Sequence, residues 1–263
     1  MNYLLIAGTA LCLLAGSAHG AGAAVEGKVV SDTDSISEAR TVDARVLRVK
    51  LDGVINVKVR QGAVAELVLI GERRLIDKTS TVQTGDTLLI DTDSHQVKFS
   101  RRSMLRAELT LPRLRELRSD SVGSTEVTGF SGDIFDLTLD GASTMRLVAD
   151  YRVINASLGG VGSMHLQTGN SELVELNMHG AGYVTLVGRS KVLKASLGGL
   201  GGLDAEKFLA DTVDLDMSGL GNASVLARQN AVLNLSGMGS VTVYGKPPRR
   251  SVTADGLGKV SWK

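Results

Sequence analysis

The chain has 263 residues, with 29 Lys and Arg against 28 Asp and Glu, for a formal net charge of +1. So even a balance excludes a global electrostatic pull toward nucleic acid or an anionic membrane. Aromatic residues make up 3% of the chain, and there are three prolines, one cysteine and 31 glycines. That glycine share is well above the usual ~7%.

The first 23 residues, MNYLLIAGTALCLLAGSAHGAGA, read as a signal peptide. Leu4 to Ala15 has the length of a signal-peptide apolar region and is too short to span a bilayer comfortably. Small residues come next, and Ala18-His19-Gly20 or Ala21-Gly22-Ala23 offers a cleavage site. The single cysteine, Cys12, lies mid-run after Leu11, where a lipid-attachment motif would not place it. A mature chain without thiols excludes disulfides, thiolate metal sites and cysteine nucleophiles. The expected location is outside the cytoplasm: periplasmic, outer-membrane-associated or secreted. No later stretch is apolar enough for a transmembrane helix.

Residues 24–40 read as a flexible lead-in. Residues 41–112 read as an N-terminal β region, because RVLRVKL, INVKV, AELVLIG, DTLLIDT and LRAELTL alternate apolar with polar residues. Gly53, Gly62, Gly71 and Gly85 mark turns between them. This region is a candidate cap for the remainder of the chain.

Residues 113–263 carry a repeat. The first glycines of successive Gly-x-Gly motifs are Gly141, Gly160, Gly180, Gly199, Gly219, Gly237 and Gly256, spaced 19, 20, 19, 20, 18 and 19 residues apart. The second positions hold Gly162, Gly182, Gly201, Gly221, Gly239 and Gly258, with Ser143 replacing glycine beside Gly141. Twenty residues before Gly141, Ser121 precedes Gly123, which makes eight repeats. Within each, apolar residues alternate with polar ones, as in Leu233, Leu235, Gly237, Gly239, Val241 and Val243. Period two means strand. A coil of 19–20 residues with such strands predicts an all-β fold, a parallel β-helix or solenoid of right-handed sense, each coil completing its neighbour's core. The glycines are structural. They share parity with the core, and a Cβ there would crowd a tight bend. A nucleotide-binding reading fails, because such a fingerprint occurs once and opens a helix.

Stacked coils turn sequence positions into rows. Leu139, Leu158, Met178, Leu197, Met217 and Leu235 form an inward row. Thr138, Ser157, Asn177, Ser196, Asp216, Asn234 and Thr253 form a polar row, either a solvated face or a ribbon for a polymer. The residue between the glycines is apolar in all eight repeats: Val122, Ala142, Val161, Ala181, Leu200, Leu220, Met238 and Leu257. Simple parity points it outward as an exposed ridge. The conformational freedom of the flanking glycines favours the alternative, in which parity breaks and the residue turns inward at the corner. Arg101, Arg102, Arg106, Arg113, Arg115 and Arg118 form either a solvated strand face or a contact for an anionic glycan.

The motifs LDMSGLGNASV and LNLSGMGSVTV, the element VYGKPP followed by DGLGKV, and the front-end LDGVINVKVRQG resemble the bacterial family of putative auto-transporter adhesin, head GIN domains, over roughly Arg45 to Lys263. The resemblance implies an exported β-solenoid with no catalytic residues to carry over. The coils occupy the sequence after Ser121, so an adhesin-like passenger fold is expected, not a membrane barrel.

Catalysis on such a fold needs clustered carboxylates or a bound metal. Asp214 and Asp216 share a strand face, but Ser196 and Asn234 flank Asp216 in the adjoining coils, and the mature histidines His95, His165 and His179 lack partners at ligand spacing. The expectation is no enzyme, no metal and no cofactor. The chain reads as a non-catalytic exported solenoid for adhesion, surface association or envelope scaffolding. The alternatives are a polysaccharide-binding or polysaccharide-degrading envelope protein and a self-assembling structural module. Candidate partners are an envelope polysaccharide, another surface protein and a second copy.

Overall fold

The structure, a computed structural model, describes residues 35–93 and 105–263. The expected signal peptide, most of the expected lead-in, Arg101 and Arg102 lie outside the described residues. Thr33–Lys263 forms one compact unit.

The chain is a parallel β-solenoid of about seven turns. Its repeats are the long strands β8 (Glu116–Leu139), β9 (Ala142–Leu158), β10 (Val161–Met178), β11 (Ala181–Leu197), β12 (Leu200–Met217) and β13 (Leu220–Leu235). Each pairs in parallel with the coils on either side. Each of these coils is one continuous strand from one glycine corner to the next. Arg189–Val192 stays paired with Leu209–Thr212 in constant register, and Ala227–Ala231 stays in the ladder with a register slip opposite Ala210 and Thr212. At the bends the ladder is interrupted and then resumes, as between Gln167 and Leu173 against β9 and between Ala205 and Leu209 against β13.

The first coil lies far earlier in the chain. β2 (Arg48–Val54) and β3 (Asn56–Gln61) pair in parallel with β8, setting Gly53 opposite Ser121 and Val54 opposite Val122. β6 (Thr87–Thr92) stacks on β2, and β7 (Arg106–Leu111) stacks on β3. Space and sequence therefore run in different orders, with the coil of β2 and β3 sandwiched between β6 with β7 and β8.

The end is closed by antiparallel strands. β5 (Thr79–Thr84) folds back on β6 through a turn at Gly85, β4 (Glu66–Glu72) lies on β7, and β1 (Ser35–Arg40) lies on β4. Ser35–Arg40, expected as part of a flexible lead-in, is thus an ordered strand. Arg40 fixes it by donating to the carbonyl oxygens of Thr79 (3.1 Å) and Ile76 (3.3 Å) while pairing with Glu38 at 2.7 Å. Ile76 ends α1 (Arg73–Ile76), a single turn that buries Leu75 and Ile76 under the cap. Reversing strand direction ends the parallel ladder and covers a core that an open coil would expose.

At the other end β14 (Met238–Tyr244) and β15 (Arg249–Ala254) stack on β13, and β16 (Lys259–Trp262) stacks on β14. Trp262 packs half-buried against the core, with the Arg250 guanidinium 4.5 Å from its ring centroid. The core is one column, and the row of Leu139, Leu158, Met178, Leu197, Met217 and Leu235 is no more than 3% exposed. Burying a side chain of this size contributes about 1.5–3 kcal/mol. Phe135 stacks on Tyr151 at 4.9 Å, and the Tyr151 hydroxyl donates to the Leu114 carbonyl at 2.5 Å. Burial raises that phenol's pKa well above its usual value.

Candidate functional site: an apolar ridge along the glycine corner

Alternation survives the glycine corner. Through one corner the burial reads Met217 buried, Ser218 exposed, Gly219 half-buried, Leu220 exposed, Gly221 half-buried, Asn222 exposed and Ala223 buried. The inward turn favoured at the sequence level is therefore overturned. The glycines occupy the inward positions, and the residue between them points to solvent. Crowding between backbones is the reason. A Cβ on Gly219 would fall on the carbonyl oxygen of Gly199, and one on Gly221 would fall on that of Gly201. Gly221 also has φ +151°, outside the range of side-chain-bearing residues. Where glycine stands on both sides the coils touch through bare backbone, which leaves inward room for hydrogen alone, whereas the first two corners bury Ser121 and Ser143 at inward positions.

The outward residues stack in register. Val122, Ala142, Val161, Ala181, Leu200, Leu220 and Met238 are successive Cα partners. Leu257 stands two residues before Lys259, as Met238 stands two before Ser240, and those two residues pair. Exposure is 49% for Val122, 61% for Val161, 56% for Leu200, 44% for Leu220, 60% for Met238 and 85% for Leu257. Ala142 is exposed and Ala181 half-buried. With strands about 4.8 Å apart, seven steps give a straight ridge about 34 Å long. Its backbone is held by coil-to-coil bonds: the amides of Val161, Ala181 and Leu200 each donate at 3.0 Å to Gly141, Gly160 and Gly180. Val54, opposite Val122 and half-buried, carries the row one coil further than sequence reasoning placed it.

The flanks are mostly small and uncharged along the middle of the ridge, with His179 and Tyr183 beside Ala181 the large exceptions and Lys259 beside Leu257 at the end. On one side stand Gly159, His179, Gly198, Ser218 and Ser236, and on the other Ser124, Thr144, Ser163, Tyr183, Gly202, Asn222 and Ser240. Asp120, Asp140 and Asp255 lie at the two ends, and Asp140 is held by Arg118 at 2.7 Å. A long strip of exposed apolar side chains on a rigid support is uncommon on a monomer and marks a contact surface.

The arginines are spread over several elements. Arg106 opens β7 opposite Asn56 and Ile70, Arg113 and Arg115 lie in the connection to β8, and Arg118 lies within β8 opposite Lys50. Arg113 and Arg115 border a shallow depression with Asp133 and Tyr151. In the polar row, Asn234 donates to Asp216 at 2.7 Å, a bond between coils.

Sequence reasoning missed a second row on the far corner. Asp133, Arg152, Glu172, Lys191, Asp211 and Arg228 alternate in sign from coil to coil. Arg152 reaches Asp133 at 3.4 Å and Glu172 at 2.9 Å, Lys191 reaches Glu172 at 3.0 Å, and Arg228 reaches Asp211 at 2.8 Å. Hydrogen bonds from Lys191 and Arg152 hold the Glu172 carboxyl below its usual pKa. The ladder is a solvated seam that neutralises itself, and each exposed pair contributes little. Among the described residues, no group of three or more His, Cys, Asp or Glu side chains is arranged to hold a metal ion. No helix among them is long and apolar enough to cross a membrane.

Fold and ridge define a capped parallel solenoid with one exposed apolar edge. The chain belongs to the family described as putative auto-transporter adhesin, head GIN domain, whose model matches residues 47–247. Its fold is shared with two crystal structures named putative adhesins. One, from Bacteroides fragilis, has 19% identity and a TM-score of 0.63, covering 88% of this chain and 98% of that one. The other, from Parabacteroides distasonis, has 18% identity, a TM-score of 0.76 and the same coverage. A third, named a putative lipid binding protein and also from P. distasonis, has 16% identity and a TM-score of 0.65, covering 87% and 97%. Among curated proteins, none matches the chain.

Proposed function

We propose that this protein is a non-catalytic, exported surface-association module whose working edge is the apolar ridge. The observation that carries this reading is the register of the exposed row, in which large apolar side chains stand in solvent coil after coil on a backbone that does not need them for its core. The names of its relatives, putative adhesins and a putative lipid binding protein, are consistent with association rather than turnover. The test is co-sedimentation of the chain with isolated cell-envelope material. Leu220→Asp with Met238→Asp should abolish binding while circular dichroism and the melting transition stay unchanged. A double variant that binds as the parent does refutes the ridge as the working edge.

A second reading rests on Arg113 and Arg115, which are exposed beside one depression. Under it, the protein binds an acidic envelope polysaccharide in a salt-sensitive manner, and Arg113→Ala with Arg115→Ala weakens that binding. Retention of full binding in this variant would dismiss the second reading without touching the first.

A further inference from the structure

We infer that the occupant of the ridge is a second copy of this chain, lying antiparallel along it. This rests on the ridge being the working edge.

Pitch is the first reason. The ridge repeats at the strand spacing of about 4.8 Å. Another copy necessarily repeats at the same spacing, so the two rows can keep one register along the full length. The rows beside the ridge carry mostly glycine and small polar residues, so the ridge stands clear of them except beside Ala181, where His179 and Tyr183 flank it.

Size sets the direction. The row is small in its first half and large in its second. A two-fold axis between Ala181 and Leu200 brings each small residue opposite a large one: Ala181 faces Leu200, Val161 faces Leu220, and Ala142 faces Met238. A parallel arrangement would set Met238 against Met238 and leave a gap between alanines. The antiparallel arrangement is also isologous and closes at two copies.

Charge argues against an anionic membrane as the occupant. The charged residues two positions before the ridge are Asp52, Asp120, Asp140 and Asp255, with Arg118 engaged to Asp140, and the one two positions after it is Lys259. This acidic excess gives anionic headgroups no attraction, and in the antiparallel dimer Asp120 of one copy comes opposite Asp255 of the other, a like-charge pair that salt screens, so added salt tightens the association.

Area sets the strength. A strip about 34 Å long and about 15 Å wide covers roughly 500 Å² per copy, below the ~800 Å² of a standard interface. The dimer is therefore a weak one, with dissociation in the micromolar range.

The experiment is sedimentation equilibrium of the full chain carrying Cys12→Ser, from low micromolar to several hundred micromolar concentration, with oxidative cross-linking of single-thiol variants. The expected result is a monomer–dimer equilibrium that tightens with salt and is lost in Leu220→Asp with Met238→Asp, the fold being unchanged by circular dichroism. Mixed Ala142→Cys and Met238→Cys chains should cross-link far more than either alone. Met238→Cys chains that cross-link to themselves as well as the mixture does would overturn the antiparallel arrangement. A monomer at every concentration, or a dimer that survives the double Asp variant, would overturn the second copy as occupant. In those cases flotation with phosphatidylcholine vesicles and the envelope assay decide separately whether the ridge binds something else. Binding that the double variant loses would leave the surface-association reading standing.

Discussion

Gly221→Ala should cost about 3–5 kcal/mol, although it adds one methyl group at a half-buried position. Two costs combine. The backbone there has φ +151°, a region open to glycine and costing other residues about 1–3 kcal/mol. The new Cβ would also land on the carbonyl oxygen of Gly201 in the coil below, so the coils must part locally. Parting them weakens the corner's ladder bonds, among them the one from the Leu220 amide to the Gly199 oxygen at 3.1 Å. Each such bond is worth about 1 kcal/mol net. Gly85→Ala isolates the first cost, because Gly85 has φ +62° and a Cβ there would meet nothing within 4 Å. It should lose only about 1–2 kcal/mol. Urea unfolding followed by far-UV circular dichroism measures both, with the slope of the transition reporting whether one coil opens alone. If Gly221→Ala is no worse than Gly85→Ala, close backbone approach is not what the corner glycines serve.

Acid and the buried phenol give two further expected outcomes. Folding lowers the Glu172 pKa through Lys191 and Arg152, so its contribution is complete above the ordinary value of 4.5 and is lost as pH falls through the lowered one. The parent chain should therefore lose stability more steeply than Glu172→Gln below about pH 4.5 in acid titrations of the melting temperature. Tyr151→Phe leaves the buried Leu114 carbonyl without its 2.5 Å donor and should cost about 1–2 kcal/mol in the same urea assay; an unchanged midpoint would mean that this bond contributes nothing.

The repeat was legible because glycine recurs at a corner where coils touch through backbone. Its spacing holds at 18–20 residues there, and the flanking alternation identifies strands. The coil of β2 and β3 was not legible, although Gly53-Val54 stands where Ser121-Val122 does, because the chain leaves it for β4, β5, β6 and β7 before returning at β8. The ladder from Asp133 to Arg228 was hidden for a different reason. Its members do recur, eight residues before the next repeat's first glycine in five coils and nine before it in the sixth, but their sign alternates, so the row does not show as one repeated residue type. The direction of the ridge was open because glycine permits a break in alternation without requiring one. What decides it is the carbonyl oxygen beneath each inward glycine, a contact between coils that a single repeat does not contain.

The most direct test is thiol labelling of the folded chain carrying Cys12→Ser, at submicromolar concentration where copies stay apart. Maleimide should modify Val161→Cys, Leu200→Cys and Met238→Cys at close to the rate of an unfolded peptide. Leu215→Cys, at a position that is 0% exposed, should react only as fast as the protein opens. Ridge thiols as slow as the one at position 215 would put those side chains inside the coil and contradict the account.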